Sequence, residues 1–231
     1  MLQVNGLSKR YGGLKAVDDC SFSVEPRQVF GVIGPNGSGK TTLFQMIAGL
    51  VPPDGGDVRL HGRSIRGRRP SHLARLGLAQ TFQIPRVFGN LSVIDNVRVA
   101  TALFACRGSR QPEHYIDQFG LSELSQVRAA DLSHGQQKLL EFATVNAMEP
   151  DVVLLDEPTA GVNPRFIGRI EAIIAGFRDA GRTVLLVEHT LRVVQNLCDR
   201  VMVLDEGRVV ATGSPAELKS RADVRRAYFL L

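Results

Sequence analysis

The stretch GPNGSGKTT, residues 34–42, decides the fold. It follows the apolar run QVFGVIG (28–34) and opens the helical pattern GKTTLFQMIAGL (39–50). Its match to the spacing G-x-x-x-x-G-K-S/T rests on Gly34, Gly39, Lys40 and Thr41. Glycines at a strand-to-helix turn let backbone N–H groups point inward at phosphate oxygens, and the helix N-terminus adds favourable partial charge. The stretch therefore predicts a phosphate-binding loop.

Two side chains of this loop are expected to bind a nucleotide and its metal ion directly. Lys40 would reach the β- and γ-phosphates, and the hydroxyl of Thr41 would coordinate Mg²⁺. The other loop residues that we expect to bind the nucleotide are Gly34, Asn36, Gly37, Ser38, Gly39 and Thr42.

Acidic and imidazole side chains follow two further apolar runs. VVLLDEP places Asp156 and Glu157 at the end of one run, and VEH places His189 at the end of another. Asp156 at a strand's carboxyl end suits the magnesium ion, directly or through water. Glu157 can polarise an attacking water, although a carboxylate that merely faces solvent is the simpler alternative. His189, at a crevice shared by three strand ends, can donate a hydrogen bond to a γ-phosphate.

Strand-like and helix-like runs alternate through most of the chain. DVVLLDE (151–157) and RTVLLVEH (182–189) are almost continuously apolar, as expected of strands covered on both faces, and RVMVLDEG (200–207) is a further β-rich run. Between them lie the helical patterns HGQQKLLEFATVNAM (134–148) and FIGRIEAIIAGFRDAG (166–181). This alternation predicts an α/β fold with a mixed, largely parallel sheet.

Two regions depart from the alternation. The first thirty residues alternate like half-exposed antiparallel strands, whereas residues 84–132 have the pattern of an inserted helical subdomain. We therefore predict a single domain over residues 1–231. Its sheet core and N-terminal β-subdomain would occupy about residues 1–83 and 133–231.

Composition excludes several classes of protein. The 231 residues are 44% apolar and 22% charged, which is ample for a large core. No apolar stretch is long enough to span a bilayer, and MLQVNGLSKRY lacks the apolar region of an export signal. The widely spaced Cys20, Cys106 and Cys198 indicate reduced thiols rather than a disulfide scaffold. A net charge of +5 fits either a solvated face or attraction to nucleic acid or an anionic membrane.

LSHGQQKLLEFA, residues 132–143, places Ser133 and Gly135 at the start of an amphipathic run. Such a helix start can bind an anion through its N–H groups, and Ser133 can also act as a simple N-cap. The segment contains no obvious nucleophile and no metal-ligand pair. We interpret it as an incomplete anion site that needs a partner.

Together these motifs resemble those of the ABC-type ATPases, over essentially the whole chain. GPNGSGKTT is similar to the family's Walker A loop, VVLLDEP to its Walker B strand, LSHGQ to its signature sequence and TAGVNP to its D-loop. Gln83 in TFQ corresponds to the Q-loop glutamine and His189 to the switch histidine. Tyr11 in KRYGG stands where the family places an aromatic ring against adenine.

The resemblance implies a P-loop NTPase of the ABC type that hydrolyses ATP with Mg²⁺. It adds Gln83 to Thr41 and Asp156 as a metal-site residue. It also implies a catalytic set made of Glu157, His189, Gln83 and Lys40. In the family, two nucleotide domains face each other head to tail. Ser133, Gly135 and Gln136 would therefore bind, in trans, the ATP held by the opposing subunit.

Three longer segments and the chain end resemble the ATPase subunits of bacterial branched-chain amino acid importers. They are KRYGGLKAVDDCSFSVEP, TFQIPRVFGNLSVIDNV, SHGQQKLLEFA and ADVRRAYF. This resemblance implies transmembrane permease subunits, a periplasmic substrate-binding protein and a location on the cytoplasmic face of the inner membrane. It favours a heterodimer with a related ATPase and leaves a homodimer open. Importers of urea and amides belong to the same group and remain an alternative.

Some positions depart from the commonest family pattern, and two other functions stay open. His134, Asn163 and Thr190 replace more frequent residues, but none of the three removes a catalytic group. A non-transport ABC ATPase acting on nucleic acid or the ribosome is one alternative. We expect no nucleic-acid partner, because no long coiled-coil insert, zinc-type cysteine pair or second nucleotide domain is present. A module that binds nucleotide without hydrolysis is disfavoured by the full set of Gln83, Glu157 and His189.

Overall fold

The computed structural model describes residues 1–107, 110–221 and 224, and its strands form two sheets. In chain order the strands are β1 (Leu2–Tyr11), β2 (Leu14–Val24), β3 (Val29–Ile33), β4 (Gly55–Leu60), β5 (Arg63–Ser64), β6 (Leu78–Gln80), β7 (Val152–Asp156), β8 (Thr183–Val187), β9 (Arg200–Asp205) and β10 (Arg208–Gly213). The α-helices are α1 (Lys40–Ile47), α2 (Pro70–Arg75), α3 (Val93–Leu103), α4 (Pro112–Gln118), α5 (His134–Ala147), α6 (Pro164–Asp179), α7 (Leu191–Leu197) and α8 (Pro215–Ser220). The C-terminal segment ADVRRAYF lies outside the described residues, apart from Val224.

The larger sheet has the strand order β10-β9-β3-β8-β7-β6, and its strands are parallel except for β10. Residues 152–155 and 183–187 are buried, because helices or the smaller sheet cover both faces. This confirms the α/β fold predicted from the continuous apolar runs. The carboxyl ends of β3, β8, β7 and β6 lie side by side along one edge, which places the segments after them together.

The smaller sheet is antiparallel, with the order β2-β1-β4-β5. Its apolar face, α1 and one face of the larger sheet share one buried cluster. The other face of the larger sheet packs against the later helices in a second cluster. The antiparallel pairing predicted for the first thirty residues is confirmed, and β4 and β5 extend it beyond that region.

Residues 84–132 contain α3, α4 and short 3-10 turns, and within the described part of this segment there is no strand longer than the single bridge Ser92–Arg128. Tyr115 of α4 and Phe119, which follows that helix, are buried in the same cluster as Leu139 and Phe142 of α5. The helical subdomain therefore packs against α5. Its boundaries at 84 and 132 remain our proposal.

Several element boundaries differ from the sequence-based prediction for local reasons. Helix α1 ends at Ile47 instead of residue 50, because Gly49 takes a left-handed φ of 71°. Helix α6 begins at Pro164, because the Asn163 side chain caps it by accepting a hydrogen bond from the backbone of Arg165. Gly181, with φ of 90°, follows the C-terminal cap of α6.

Two expectations from composition, reduced cysteines and the lack of a membrane-spanning stretch, can be compared with the structure. Cys20 and Cys198 are free and buried, and burial raises the pKa of each thiol to about 12, so both are poor nucleophiles. In the ranges that the structure describes, no helix is both long enough and apolar enough to cross a membrane.

Candidate functional site

The phosphate-binding loop is held between β3 and α1 by close backbone contacts. A Cβ atom at Gly34 would lie 2.0 Å from the carbonyl oxygen of Leu204, and one at Gly39 would lie 2.1 Å from that of Ala16. Gly39 also has a φ of 101°. Glycine is therefore required at both positions by the neighbouring backbone. The residues between them form a turn whose backbone can approach a phosphate closely.

Lys40 and Ser38 give this loop hydrogen-bond donors that suit an anion. The Lys40 ammonium is buried and donates hydrogen bonds to the carbonyl oxygens of Gly34 and Pro35, each at 2.8 Å. Burial lowers the pKa of Lys40, and the nearby Glu157 and Asp156 oppose that shift. The Ser38 hydroxyl is buried without a hydrogen-bond partner. A polyphosphate would supply acceptors to both groups, so the chemistry of the loop fits such a ligand.

The two acids at the end of β7, Asp156 in the strand and Glu157 after it, occupy different environments. Burial, and then the neighbouring Glu157, raise the pKa of Asp156, while Lys138 and Lys40 lower it. Glu157 has a left-handed φ of 45°, uncommon outside glycine, and its N–H donates to the carbonyl oxygen of Val187 at 3.0 Å. The strand β7 therefore ends in a turn at Glu157, held by the neighbouring strand β8.

Three predicted catalytic side chains meet at Glu157. Gln83, after β6, donates from Nε2 to Oε2 of Glu157 at 3.0 Å. His189, after β8, places Nδ1 3.8 Å from the same oxygen. Glu157 is 22% exposed and His189 59% exposed, so water reaches the group. The strand ends thus bring together the amide, the carboxylate and the imidazole, beside the loop that holds Lys40.

Glu188, which the sequence analysis did not single out, fixes the positions of two loops of this site. Its side chain is fully buried and accepts hydrogen bonds from the backbone N–H groups of His189 and Thr190, both at 2.9 Å. It also accepts from the backbone N–H of Thr159 at 3.3 Å and from the Thr159 hydroxyl. Glu188 therefore joins the loop after β7 to the loop that carries His189. The sequence did contain a signal for this residue: an acid directly after the apolar run of β8, where a buried position is expected.

Replacing Glu188 with glutamine should loosen both loops, because an amide nitrogen would then face N–H donors. We expect a loss of about 1–3 kcal/mol in the free energy of unfolding, the usual cost of leaving a buried donor unpaired. Turnover of ATP should fall about tenfold, with the affinity for ATP little changed. Denaturant unfolding and steady-state kinetics measure both effects. Glu171→Gln is the matched control, at a partly exposed position of α6 where the carboxylate accepts a hydrogen bond from Asn196. Equal behaviour of the two variants would refute this role.

The segment around Ser133 forms the start of α5. The Ser133 hydroxyl accepts a hydrogen bond from the N–H of Gln136, and the Gln136 side chain accepts from the Ser133 N–H and hydroxyl, each at 2.8 Å. Ser133 is exposed, and Gly135 is partly exposed. His134 lies close to the loop after β7, because a Cβ atom added at Gly161 of that loop would be 3.6 Å from Nε2 of His134. Ser133 is thus both an N-cap, as the simpler interpretation held, and an accessible hydroxyl at a helix N-terminus.

Tyr11 and Thr41 lie at accessible positions. Tyr11 ends β1 with 49% of its surface exposed, and the Lys9 ammonium lies 5.7 Å from the centroid of its ring. Thr41 is exposed in the first turn of α1. An exposed ring can stack on a base, and an exposed hydroxyl can reach a metal ion.

The metal-binding residues predicted from the sequence fit Mg²⁺. Thr41, Asp156 and Gln83 offer a hydroxyl, a carboxylate and an amide oxygen, which are the hard ligands that this ion prefers. Over residues 1–107, 110–221 and 224, no cluster of three or more His, Cys, Asp or Glu side chains could hold a metal ion by itself. The donor set therefore suits an ion held by one or two side chains together with nucleotide phosphates.

Known proteins resemble this chain over nearly its whole length. Residues 17–160 match the family model described as ABC transporter. The chain is 36% identical to the high-affinity branched-chain amino acid transport ATP-binding protein BraF of Pseudomonas aeruginosa, covering 99% of this chain and 97% of BraF. It is equally identical, with the same coverage, to the corresponding protein LivG of Salmonella typhimurium. The lipopolysaccharide export system ATP-binding protein LptB of Acidithiobacillus ferridurans is also 36% identical, covering 99% of this chain and 96% of LptB.

Solved structures agree in fold. The ADP conformation of MJ1267, an ATP-binding cassette of an ABC transporter, superposes with a TM-score of 0.87 at 29% identity, covering 100% of this chain and 99% of that one. A dimeric post-hydrolysis state of the cassette MJ0796, bound to ADP and Pi, has a TM-score of 0.81 at 21% identity, over 93% of this chain and 99% of that one. At that identity the second comparison concerns the fold alone.

Proposed function

Because the chain belongs to the ABC transporter family of ATP-binding proteins, we propose that it is the ATP-hydrolysing subunit of a bacterial importer for branched-chain or other hydrophobic amino acids. The chain is an ATPase of that family and binds nucleotide. The hydrolytic part of the proposal is carried by one observation, the meeting of Gln83 and His189 at Glu157. The substrate class is supported by the relatives BraF and LivG.

The phosphate-binding loop and Tyr11 bind the nucleotide in this proposal. The ring of Tyr11 covers the adenine, and the N–H groups of residues 36–42 surround the phosphates. Lys40 turns its ammonium from the loop carbonyl oxygens to the β- and γ-phosphates, a change from neutral to charged acceptors that favours binding. Thr41, Asp156 and Gln83 would hold Mg²⁺, which would neutralise negative charge on the phosphate oxygens when bound.

Glu157 acts as the base. The Gln83 amide fixes its Oε2 atom, which leaves Oε1 free to accept a hydrogen bond from the attacking water and to take its proton. His189 and Lys40 donate hydrogen bonds to the phosphoryl oxygens, where negative charge accumulates during transfer. Glu188 holds the loop after β7 and the loop that carries His189 in place, so these two loops need little reorganisation.

Ser133, Gly135 and Gln136 bind the γ-phosphate held by a second cassette. The Ser133 O–H would exchange its hydrogen bond to Gln136 for one to the phosphate, while the helix N-terminus supplies further N–H groups. Nucleotide binding then closes the dimer, and hydrolysis reopens it, as a shift between two populations. A related cassette is our preferred partner, and a second copy of this chain is the alternative.

The remaining partners are transmembrane permease subunits and, indirectly, a periplasmic substrate-binding protein. The segment after Gln83 supports a permease contact, because Ile84 is 75% exposed and Phe88 is 56% exposed. With permease subunits as partners, the chain would lie at the cytoplasmic face of the inner membrane. We expect no nucleic-acid partner.

Reconstitution tests the proposal. The chain should co-purify with permease subunits and a binding protein. Vesicles that contain the complex should accumulate leucine, isoleucine or valine only when MgATP is enclosed in them, on the side of the membrane that carries the ATPase subunits. Uptake of urea or amides instead would move the substrate to the alternative importer class. ATP-driven release of lipopolysaccharide, or salt-sensitive binding to nucleic acid, would contradict the importer assignment.

A further inference from the structure

Two oppositely charged side chains lie buried on one face of α5. Lys138 and Glu141, one turn apart, are 1% and 4% exposed, and Nζ of Lys138 lies 3.1 Å from Oε2 of Glu141. Burial raises the pKa of Glu141, and the attraction of Lys138 opposes that shift. Taking both charges out of water is costly, and apolar residues of similar size would pack here at least as well. Stability alone therefore does not account for the pair.

The pair holds the backbone on both sides of Gln83. Nζ of Lys138 donates to the carbonyl oxygen of Phe82 at 2.5 Å. Oε1 of Glu141 accepts from the N–H of Phe82 at 3.1 Å and from the N–H of Arg86 at 3.3 Å. The segment from Phe82 to Arg86 is thus fixed to α5 at its two ends. The Arg86 guanidinium, 4.1 Å from the centroid of the Phe82 ring, closes the segment on itself.

This segment lies between three parts of the proposed machinery. Gln83, the second residue of the segment, is hydrogen-bonded to Glu157. Ile84 is the most exposed apolar side chain among the large hydrophobic residues of the described chain. Helix α5, to which the segment is fixed, begins at the Ser133 cap. One buried ion pair therefore connects the base, the exposed apolar surface and the anion-binding helix start.

We propose that Lys138 and Glu141 are positioning residues that clamp the segment 82–86 to α5, so that Gln83 and the Ser133 end move as one unit. The inference rests on the proposed ATPase function and deepens it. In the part of the chain that the structure describes, neither side chain is hydrogen-bonded to the nucleotide-binding loop, and Lys138 acts on Asp156 only through its charge. Their main effect passes through Gln83, and it should change turnover rather than the binding of ATP.

The test uses the double variant Lys138→Met/Glu141→Leu, which removes both charges and leaves none unpaired. Hydrogen exchange at the amides of Phe82 and Arg86 should accelerate about tenfold, the ratio expected for one lost hydrogen bond. The kcat for ATP should fall about tenfold, with KM changed less than about twofold. In a chain that already carries Gln83→Ala, the same double substitution should lower kcat no further.

Two controls separate positioning from loss of structure. Glu141→Gln keeps a carbonyl oxygen for the amides of Phe82 and Arg86, and it should preserve most of their protection from exchange. Asn146→Ala removes a buried polar group from the far end of the same helix, where it contacts Gln118 and Arg182. It should lower the Tm without changing exchange at Phe82 and Arg86.

Unchanged amide exchange in the double variant would overturn the clamp, as would a full, additive loss of kcat in the Gln83→Ala background. An equal loss of kcat in Asn146→Ala would also overturn it. The exchange measurement needs no turnover. If the assembled complex hydrolysed no ATP, the proposed function would fail while exchange still decided whether the clamp exists.

Discussion

A chain carrying Glu157→Gln should still bind MgATP and form the closed dimer, yet hydrolyse ATP at least about 100-fold more slowly than the wild type. Glutamine occupies nearly the same space and can accept the hydrogen bond that Gln83 donates to Oε2. It cannot take a proton from water. The closed, ATP-bound dimer should therefore accumulate, and size-exclusion chromatography with ATP, together with a phosphate-release assay, measures both effects.

Glu206→Gln is the matched control. Glu206 also follows a parallel strand and has a left-handed φ of 43°, close to the 45° of Glu157. It lies after β9, away from Gln83 and His189, so its replacement should change turnover less than about twofold. Turnover near the wild-type rate in Glu157→Gln would refute the assignment of this carboxylate as the base.

Lys40→Met should abolish productive ATP binding. Methionine replaces the apolar stem but supplies no positive charge, and the buried Ser38 hydroxyl alone cannot neutralise a polyphosphate. We expect kcat/KM for ATP to fall by about 100- to 1000-fold, as for loss of a preorganised donor in an active site. Equilibrium binding of a fluorescent ATP analogue and steady-state kinetics measure the loss.

Lys219→Met, on α8, is the control for a general change of charge. It removes the same charge from the chain and should leave ATP binding within about twofold of the wild type. If both variants lost affinity to the same extent, net charge rather than the loop geometry would explain binding.

Local patterns predicted the core of the fold, but not the strands that depend on pairing. Buried parallel strands need apolar residues, and phosphate loops need glycines. The sequence therefore predicts β7 and β8 from their apolar runs, and the loop before α1 from its glycine spacing. Strand β6 has three residues and exists because β7 pairs with it. Strand β10 pairs antiparallel with β9 through a turn at Glu206 and Gly207, both at positive φ. The apolar pattern of the sequence around this turn is too weak to predict β10.

The proposed catalytic side chains were similarly predictable from the sequence, whereas the residues that support them were not. Glu157, Gln83 and His189 stand in recognisable motifs and meet as the motifs imply. Glu188 has backbone partners, which leave no periodic pattern in the sequence. Lys138 and Glu141 have the spacing of a surface ion pair on a helix, and only tertiary packing buries them.

The central claim is that this chain contributes two incomplete ATP sites, one at the phosphate-binding loop and one at the Ser133 end of α5. Each needs a second cassette to complete it. Turnover per chain, measured over a dilution series with and without the related cassette, tests it most directly. We predict that the rate per chain falls toward zero on dilution, recovers when the partner is added, and drops when Ser133 loses its hydroxyl. A fully active monomer, equally fast at every concentration and unaffected by Ser133→Ala, would contradict the account.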